Sequence, residues 1–357
     1  FQALYGSIIV EVNGLGATGF LGDAVEVVKL GHTTNEPFIE IQGEKIALDT
    51  LIQSWEKPLE EVFATKADFE DVGMKTFAYG ERNTARPASS FAKPRIFIPV
   101  FPGTNCEYDS ARAFERAGGV ADVQIFKNLK AEHIEDSINR FVDSIKQSQI
   151  IMLPGGFSGG DEPDGSGKFI KAAFENERVK EAVMDLLYHR DGLMLGSCNG
   201  FQALIKLGLV PYGEIRKTDS SCPTLTFNTI GRHVSQIVST RIASVKSPWF
   251  SEVKLGDIHQ VAVSHGEGRF VASAEVIAEM EKNGQIATQY VDLDGRPTYE
   301  MPYNPNGSYY AIEGITSKDG RILGKMGHSE RFKDDVFQNI PGDKDQKIFE
   351  SGVKYFK

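Results

Sequence analysis

The sequence predicts an α/β protein built on an open, mostly parallel sheet with helices on both faces. Two observations carry that expectation. From Pro94 onward, short apolar runs alternate with helical patterns, the texture of successive strand–helix units. Within that stretch the run at 193–200 (LMLGSCNG) halts on Gly196, presents Cys198 and passes through Gly200 into a helical pattern. A sharp strand-to-helix elbow of this kind displays a nucleophile, and it needs small residues on either side because the backbone there is crowded.

In chain order, residues 1–63 read as strands Ser7–Val12, Ala24–Leu30 and Phe38–Gln42, then a helix N-capped by Asp49 and ending near Val62. This segment is small for an independent core, and the chain opens on Phe1, so it reads as a piece cut from something longer. Residues 64–94 mix charges with the run Thr84–Ser90 and lack periodicity, which predicts a linker crossing the surface. Strands follow at Arg95–Phe101, Ala121–Phe126, Gln149–Leu153 and Leu193–Leu195, with helices at Asp109–Ala117, Glu132–Lys146 and Val179–Tyr188 between them. A last strand is predicted at Gly320–Leu323. Sites in such sheets lie beyond the carboxyl ends of the strands, which selects the loops 102–107, 154–167 and 197–200.

Length and charge exclude several classes. A chain of 357 residues is long enough for one large domain and a smaller one. The net charge of −10 and the lack of any basic run argue against a nucleic-acid surface. No stretch approaches a membrane span or a signal peptide, so a cytoplasmic protein is expected. The three cysteines, Cys106, Cys198 and Cys222, lack metal-type spacing and suit neither a disulfide framework nor a zinc site.

At the start of a helix, free amides and the macrodipole stabilise a thiolate and can bind an oxyanion. A nucleophile there also needs a base and an orienting acid. The segment 324–331 (GKMGHSER) follows a strand-like run and places His328 and Glu330 two apart, so both side chains point the same way from an extended backbone. His265 and Glu267, after the apolar run Val261–Val263, form a rival pair with the same spacing. Cys106 is a rival nucleophile without a glycine-framed elbow, and Cys222, before Pro223, sits in a loop. The remaining histidines, including His259, lie in polar surroundings and read as solvated. Two phosphate-binding lures fail. Gly165 to Lys168 ends like a P-loop, but Phe169 stands where Ser or Thr must hold magnesium. Gly14, Gly16 and Gly19 have dinucleotide-fingerprint spacing, but a β-branched alternating run follows instead of a helix.

These motifs together resemble a known family. The loop 154–161, the elbow Gly196–Gln202 and His328-x-Glu330, in that order, are similar to the class I (triad) glutamine amidotransferases. More narrowly, the runs 101–107 (FPGTNCE), 155–158 (GGFS), 197–200 (SCNG), 265–268 (HGEG) and 304–308 (NPNGS) resemble phosphoribosylformylglycinamidine synthase. The likeness is strong from 95 to about 335. It implies a flavodoxin-like amidotransferase domain over 95–357, with residues 1–63 the closing piece of a synthetase domain and 64–94 the link between them. It also implies that L-glutamine is hydrolysed here and that the ammonia passes to formylglycinamide ribonucleotide, activated with ATP and magnesium by synthetase domains of the same polypeptide or a separate chain. No cofactor or metal is implied in this chain itself. Carried over by position, Cys198 is the nucleophile, His328 the proton relay and Glu330 its holder. The amides of Gly156 and Asn199 form the oxyanion hole; Phe157, Gln202, Asn228 and Arg232 hold glutamine; His265 and Glu267 couple the site to the synthetase. Ser329 departs from the proline often found between the His and the Glu of this class. Two other readings fit the elbow: a cysteine hydrolase or peptidase of an α/β fold, and a non-catalytic docking module.

Overall fold

The computed structural model describes residues 5–14, 25–70, 72–160, 166–333 and 336–357, and the chain divides into two compact units, Phe1–Thr65 and Lys66–Lys357. In the first, β1 (Phe38–Ile41) and β2 (Glu44–Ala47) form an antiparallel hairpin. Gln42 and Gly43 turn it, both at positive φ (54° and 87°), as a two-residue hairpin turn requires. Helix α1 (Leu48–Glu56) follows, ended by a short 3-10 turn at Lys57–Leu59. Its N-cap is Ala47, not Asp49 as the sequence suggested; Asp49 sits in the first turn, where its charge still suits the helix dipole. Residues 7–12 and 25–30 are not strands, and Ala24 lies outside the described residues. Ile8 and Ile9 are more than four-fifths exposed. β-propensity is a preference for a pleated, half-buried surface, and without a neighbour to pair with it forms nothing.

The second unit carries a nine-stranded open sheet among its described residues, in the order β4-β3-β5-β6-β13-β12-β11-β8-β9. Here β3 is Arg95–Val100, β4 Val120–Ile125, β5 Ile150–Leu153, β6 Leu193–Ser197, β8 Val234–Ile242, β9 Ile258–His265, β11 Ile286–Val291, β12 Ile312–Thr316 and β13 Ile322–Lys325. The first five strands in that order run parallel and the rest are added antiparallel. A two-stranded antiparallel ribbon of β7 (Thr224–Phe227) and β10 (Glu267–Val271) stands beside it.

The parallel strands read as unbroken apolar runs because both faces are covered. Phe97, Ile151, Leu153 and Met194 turn to one face, against α3 (Ala131–Gln147), α4 (Lys168–Phe174), α5 (Glu177–His189) and α6 (Asn199–Leu207). Their neighbours Ile96, Ile98, Ile150, Met152, Leu193 and Leu195 turn to the other. There they meet α2 (Glu107–Arg116), Trp249, Phe250 and the last helix, Ile348–Tyr355. The period of two along each strand thus divides one run between two cores. No helix of the described residues is long and apolar enough to cross a membrane.

Among its described residues the segment from 66 to 94, read as part of a surface linker, has no regular structure apart from an isolated bridge between Tyr79 and Ser244, yet it is held to this unit. Phe77 is buried, the Tyr79 and Asn83 amides donate to Ala243 O and Lys246 O, and the Arg82 guanidinium donates to Phe250 O and Val253 O. Backbone hydrogen bonds and a few anchors fix it where periodicity gives no signal.

Candidate active site

Strands β6 and β13 are parallel neighbours, with Lys325 beside Ser197 in register. Cys198 and His328 therefore leave the same end of adjacent strands, although they are 130 positions apart in the sequence. Cys198 is the N-cap of α6 and sits at φ 51°, ψ −108°, a strained conformation for a residue with a side chain. Its amide donates to Lys325 O at 2.8 Å, tying the elbow to the strand that delivers the histidine. The strain persists because the surroundings leave no alternative: a Cβ on Gly200 would lie 2.0 Å from Leu153 O, so strand and helix pack backbone to backbone.

His328 is held by its own amide, which donates to Ala262 O on β9 at 2.8 Å. Its Nδ1 pairs with Glu330 Oε1 at 2.7 Å, and both side chains are almost fully buried. Burial by itself would pull the His328 pKa down; the Glu330 charge and hydrogen bonds with Cys106, Cys198 and Glu330 outweigh it and raise the pKa well above the usual value. Burial pushes Glu330 up, but the His328 charge and hydrogen bond bring it below the usual carboxylate range. With Nδ1 engaged by Glu330, Nε2 is the ring nitrogen left for proton transfer. Gly155 makes the convergence possible. A Cβ there would lie 2.7 Å from His328 Cε1, 3.1 Å from Cys106 Sγ and 3.4 Å from Cys198 Cβ.

The rival pair does not assemble. His265 Nδ1 meets Asn228 Oδ1 at 3.1 Å, while Glu267 takes the Ser166 amide at 2.7 Å and Lys206 Nζ at 3.3 Å. Burial, with the nearby His328 and His233 charges, drops the His265 pKa to about 3, so the ring is neutral at ordinary pH. Glu267 still borders the elbow, because its O accepts from Gln202 Nε2 at 2.5 Å. Gln202 Oε1 in turn accepts from Asn199 Nδ2 at 3.0 Å, and Asn199 Oδ1 takes the Ser158 amide at 3.2 Å, joining the elbow to the loop at 155–158. Asn228 is buried and donates to His265 O and Arg232 O, so its polar atoms are engaged within the protein. Phe157 is partly exposed at the rim, its ring centroid 6.1 Å from that of His233. Gly156 lies on the same loop, bridged to Thr104.

Two placements differ from what the sequence suggests, that of Cys106, read as a rival nucleophile at a strand end, and that of His259. Cys106, the N-cap of α2, is fully buried with Sγ 3.8 Å from His328 Nδ1, and Arg331 Nη2 donates to that sulfur at 2.8 Å. The available signal was position: Cys106 follows β3, two strands from β6, at the same sheet end, and Arg331 adjoins Glu330. His259 is buried, not solvated as its polar neighbours suggested. Cys106, His328 and Glu330 also bring donor atoms within 4.8 Å of one another, a set with metal-ligand character. Within the protein, His328 Nδ1 and Glu330 Oε1 already pair with each other, and Cys106 Sγ accepts from Arg331. A cavity of about 210 Å³ lined by Asn83, Asp191, Asp319 and Arg321 lies at the opposite end, where β6 and β13 begin, and takes no part in this arrangement.

A nucleophile on an elbow, a buried His–Glu pair and a facing glycine loop can together perform acyl transfer through a covalent intermediate. Comparison with known proteins points the same way. Residues 93–356 match the CobB/CobQ-like glutamine amidotransferase domain. The chain is 36% identical over 247 residues to the phosphoribosylformylglycinamidine synthase subunit PurQ of Methanococcus maripaludis, spanning 67% of this chain and 82% of the relative. It is 30% identical over 263 residues to the corresponding subunit of Salinibacter ruber, spanning 72% and 94%. The structure of PurLQS from Thermotoga maritima contains a chain that aligns over its full length and over 74% of this one, with 25% identity and a TM-score of 0.53.

Proposed function

The chain belongs to the CobB/CobQ-like glutamine amidotransferases and, among them, to the PurQ family of phosphoribosylformylglycinamidine synthase glutaminases, and we propose that its Cys198 hydrolyses L-glutamine through a thioester. The observation that carries the residue assignment is the strained N-cap geometry of Cys198 beside the buried His328–Glu330 pair.

Cys198 Sγ attacks the side-chain amide carbon, and its proton resides on His328. Negative charge develops on the amide oxygen, where the Gly156 and Asn199 amides stabilise it. Each such donor contributes about 3 kcal/mol at the transition state. His328 then passes its proton to the departing nitrogen, ammonia leaves, and water, deprotonated by the same imidazole, releases glutamate from the thioester. Glu330 fixes the ring and favours its protonated form. Gln202 and Phe157 border the substrate; Asn228 and Arg232 shape the wall behind it, and His265 and Glu267 transmit the state of the synthetase to the elbow. Lys206, salt-bridged to Glu267 from the same helix that Cys198 begins, gives that transmission a route.

The ammonia serves the ATP- and magnesium-dependent conversion of formylglycinamide ribonucleotide to its amidine by the synthetase partner, in purine synthesis. The acyl-transfer alternatives, esterase or peptidase, are disfavoured because their acid ordinarily precedes the histidine by a long stretch, whereas Glu330 follows His328 by two. The test is Cys198→Ala assayed with the synthetase present. Glutamine-dependent amidine formation should vanish while formation from added ammonium persists. Retention of glutamine-dependent synthesis would refute the assignment.

A further inference from the structure

Beside His328 the fold buries a charge pair that the proposed chemistry does not use. Lys325 ends β13, Glu313 lies on the neighbouring strand β12, and their side chains are 1% and 0% exposed with Nζ and Oε1 3.2 Å apart. A buried ion pair is weak evidence for stability, since desolvation offsets most of its attraction. Its hydrogen bonds show where it acts. Glu313 Oε1 accepts the Gly327 amide at 2.6 Å, and Lys325 Nζ donates to Gly327 O at 2.9 Å, so the two charges grip both polar groups of the residue immediately before His328. Charge-assisted bonds of this kind are shorter and stronger than neutral ones. The other Glu313 oxygen takes the Thr288 hydroxyl, and Glu313 O takes the Met326 amide at 3.2 Å. On its far side the Lys325 carbonyl receives the Cys198 amide at 2.8 Å. One residue therefore links the backbone of the nucleophile to the turn that carries the base.

We propose that the Glu313–Lys325 pair is a positioning clamp that sets His328 against Cys198. It rests on the reading of those two residues as base and nucleophile. The side-chain hydrogen bonds of the pair run to Gly327 and Thr288, and not to the glycine loop at 155–158 or to Gln202, so the clamp governs turnover and not substrate affinity.

The test is the double variant Glu313→Gln/Lys325→Met, which removes both charges, leaves an acceptor for the Gly327 amide and strands no ion. Assayed with the synthetase partner, its kcat for glutamine hydrolysis should fall about tenfold or more while KM for glutamine stays within about twofold. Thermal unfolding verifies that the variant is folded. Should it fail to fold, Gly327→Ala gives the same reading, because its methyl would lie 2.9 Å from both Glu313 Oε1 and Lys325 Nζ, so at least one end of the clamp must shift. A folded variant with kcat within about twofold of the parent, or with only KM raised, overturns the clamp. Cys198→Ala run in parallel separates the two claims. If it still hydrolyses glutamine, the catalytic reading fails and the clamp with it; if it is inert while the clamp variants keep full turnover, the clamp alone fails.

Discussion

Gly155→Ala places a single methyl group where the proposed triad converges. Gly155 is not in a left-handed conformation, so alanine is compatible with its backbone and the effect arises from contact alone. The new carbon would lie 2.7 Å from His328 Cε1, against an optimum of about 3.5–4.0 Å for carbon pairs. The ring must retreat by about 0.8 Å, and misplacing a catalytic group by about 1 Å costs on the order of 10²-fold in rate. That corresponds to about 2.7 kcal/mol of transition-state stabilisation. The measurement is kcat for glutamate release at saturating glutamine, with ammonium-dependent synthesis as a control for the integrity of the partner enzyme. A fall of about 10²-fold with the control unchanged is expected. A kcat within about threefold of the parent would show that His328 need not sit where the structure puts it and would refute its role as the base for Cys198.

Three further outcomes follow from the same geometry. Cys106→Ala should keep most of the glutaminase rate, because Cys106 lies on the Glu330 side of the imidazole, near Nδ1; loss of all activity would make Cys106 the nucleophile. In Glu330→Gln the largest influence raising the His328 pKa disappears, so the imidazolium is lost at lower pH. The alkaline limb of the kcat profile should shift downward and kcat fall by about 10²-fold or more; an unmoved limb would dissociate Glu330 from His328. Gly200→Ala drives a Cβ to 2.0 Å from the Leu153 carbonyl, a backbone atom that cannot step aside, and should cost about 4 kcal/mol or more in denaturant unfolding. A cost under about 1 kcal/mol would mean that the elbow has slack.

The parallel half of the sheet was legible because its strands are continuous apolar runs separated by amphipathic helices: β3 to β6 and α2, α3 and α5 lie within two or three residues of the positions expected from the pattern. The antiparallel half was not. Strands β8, β11 and β12 carry buried polar side chains such as Thr240, Gln289 and Glu313, which interrupt the apolar pattern and are satisfied only by partners distant in sequence. At the site, Cys198 announced itself through its flanking glycines, and His328 with Glu330 through spacing after a strand. What the sequence concealed was mutual position. Nothing local distinguishes His265 with Glu267 from His328 with Glu330; only the pairing of β13 with β6 brings the second pair beside Cys198, while Asn228, Ser166 and Lys206 occupy the first. Cys106 was read as a rival nucleophile from its strand-end position, but its place beside His328 Nδ1 and Arg331 was not legible, and neither was the Glu313–Lys325 pair, since both arrangements depend on neighbours across the sheet.

Cys198 should be the residue that carries the glutamyl thioester. Incubation with a glutamine-derived chloroketone followed by peptide mapping tests it directly. The label should fall on the peptide containing Cys198 and be suppressed by excess glutamine. Label on Cys106, or none on Cys198 while glutamine is still being hydrolysed, would contradict that assignment.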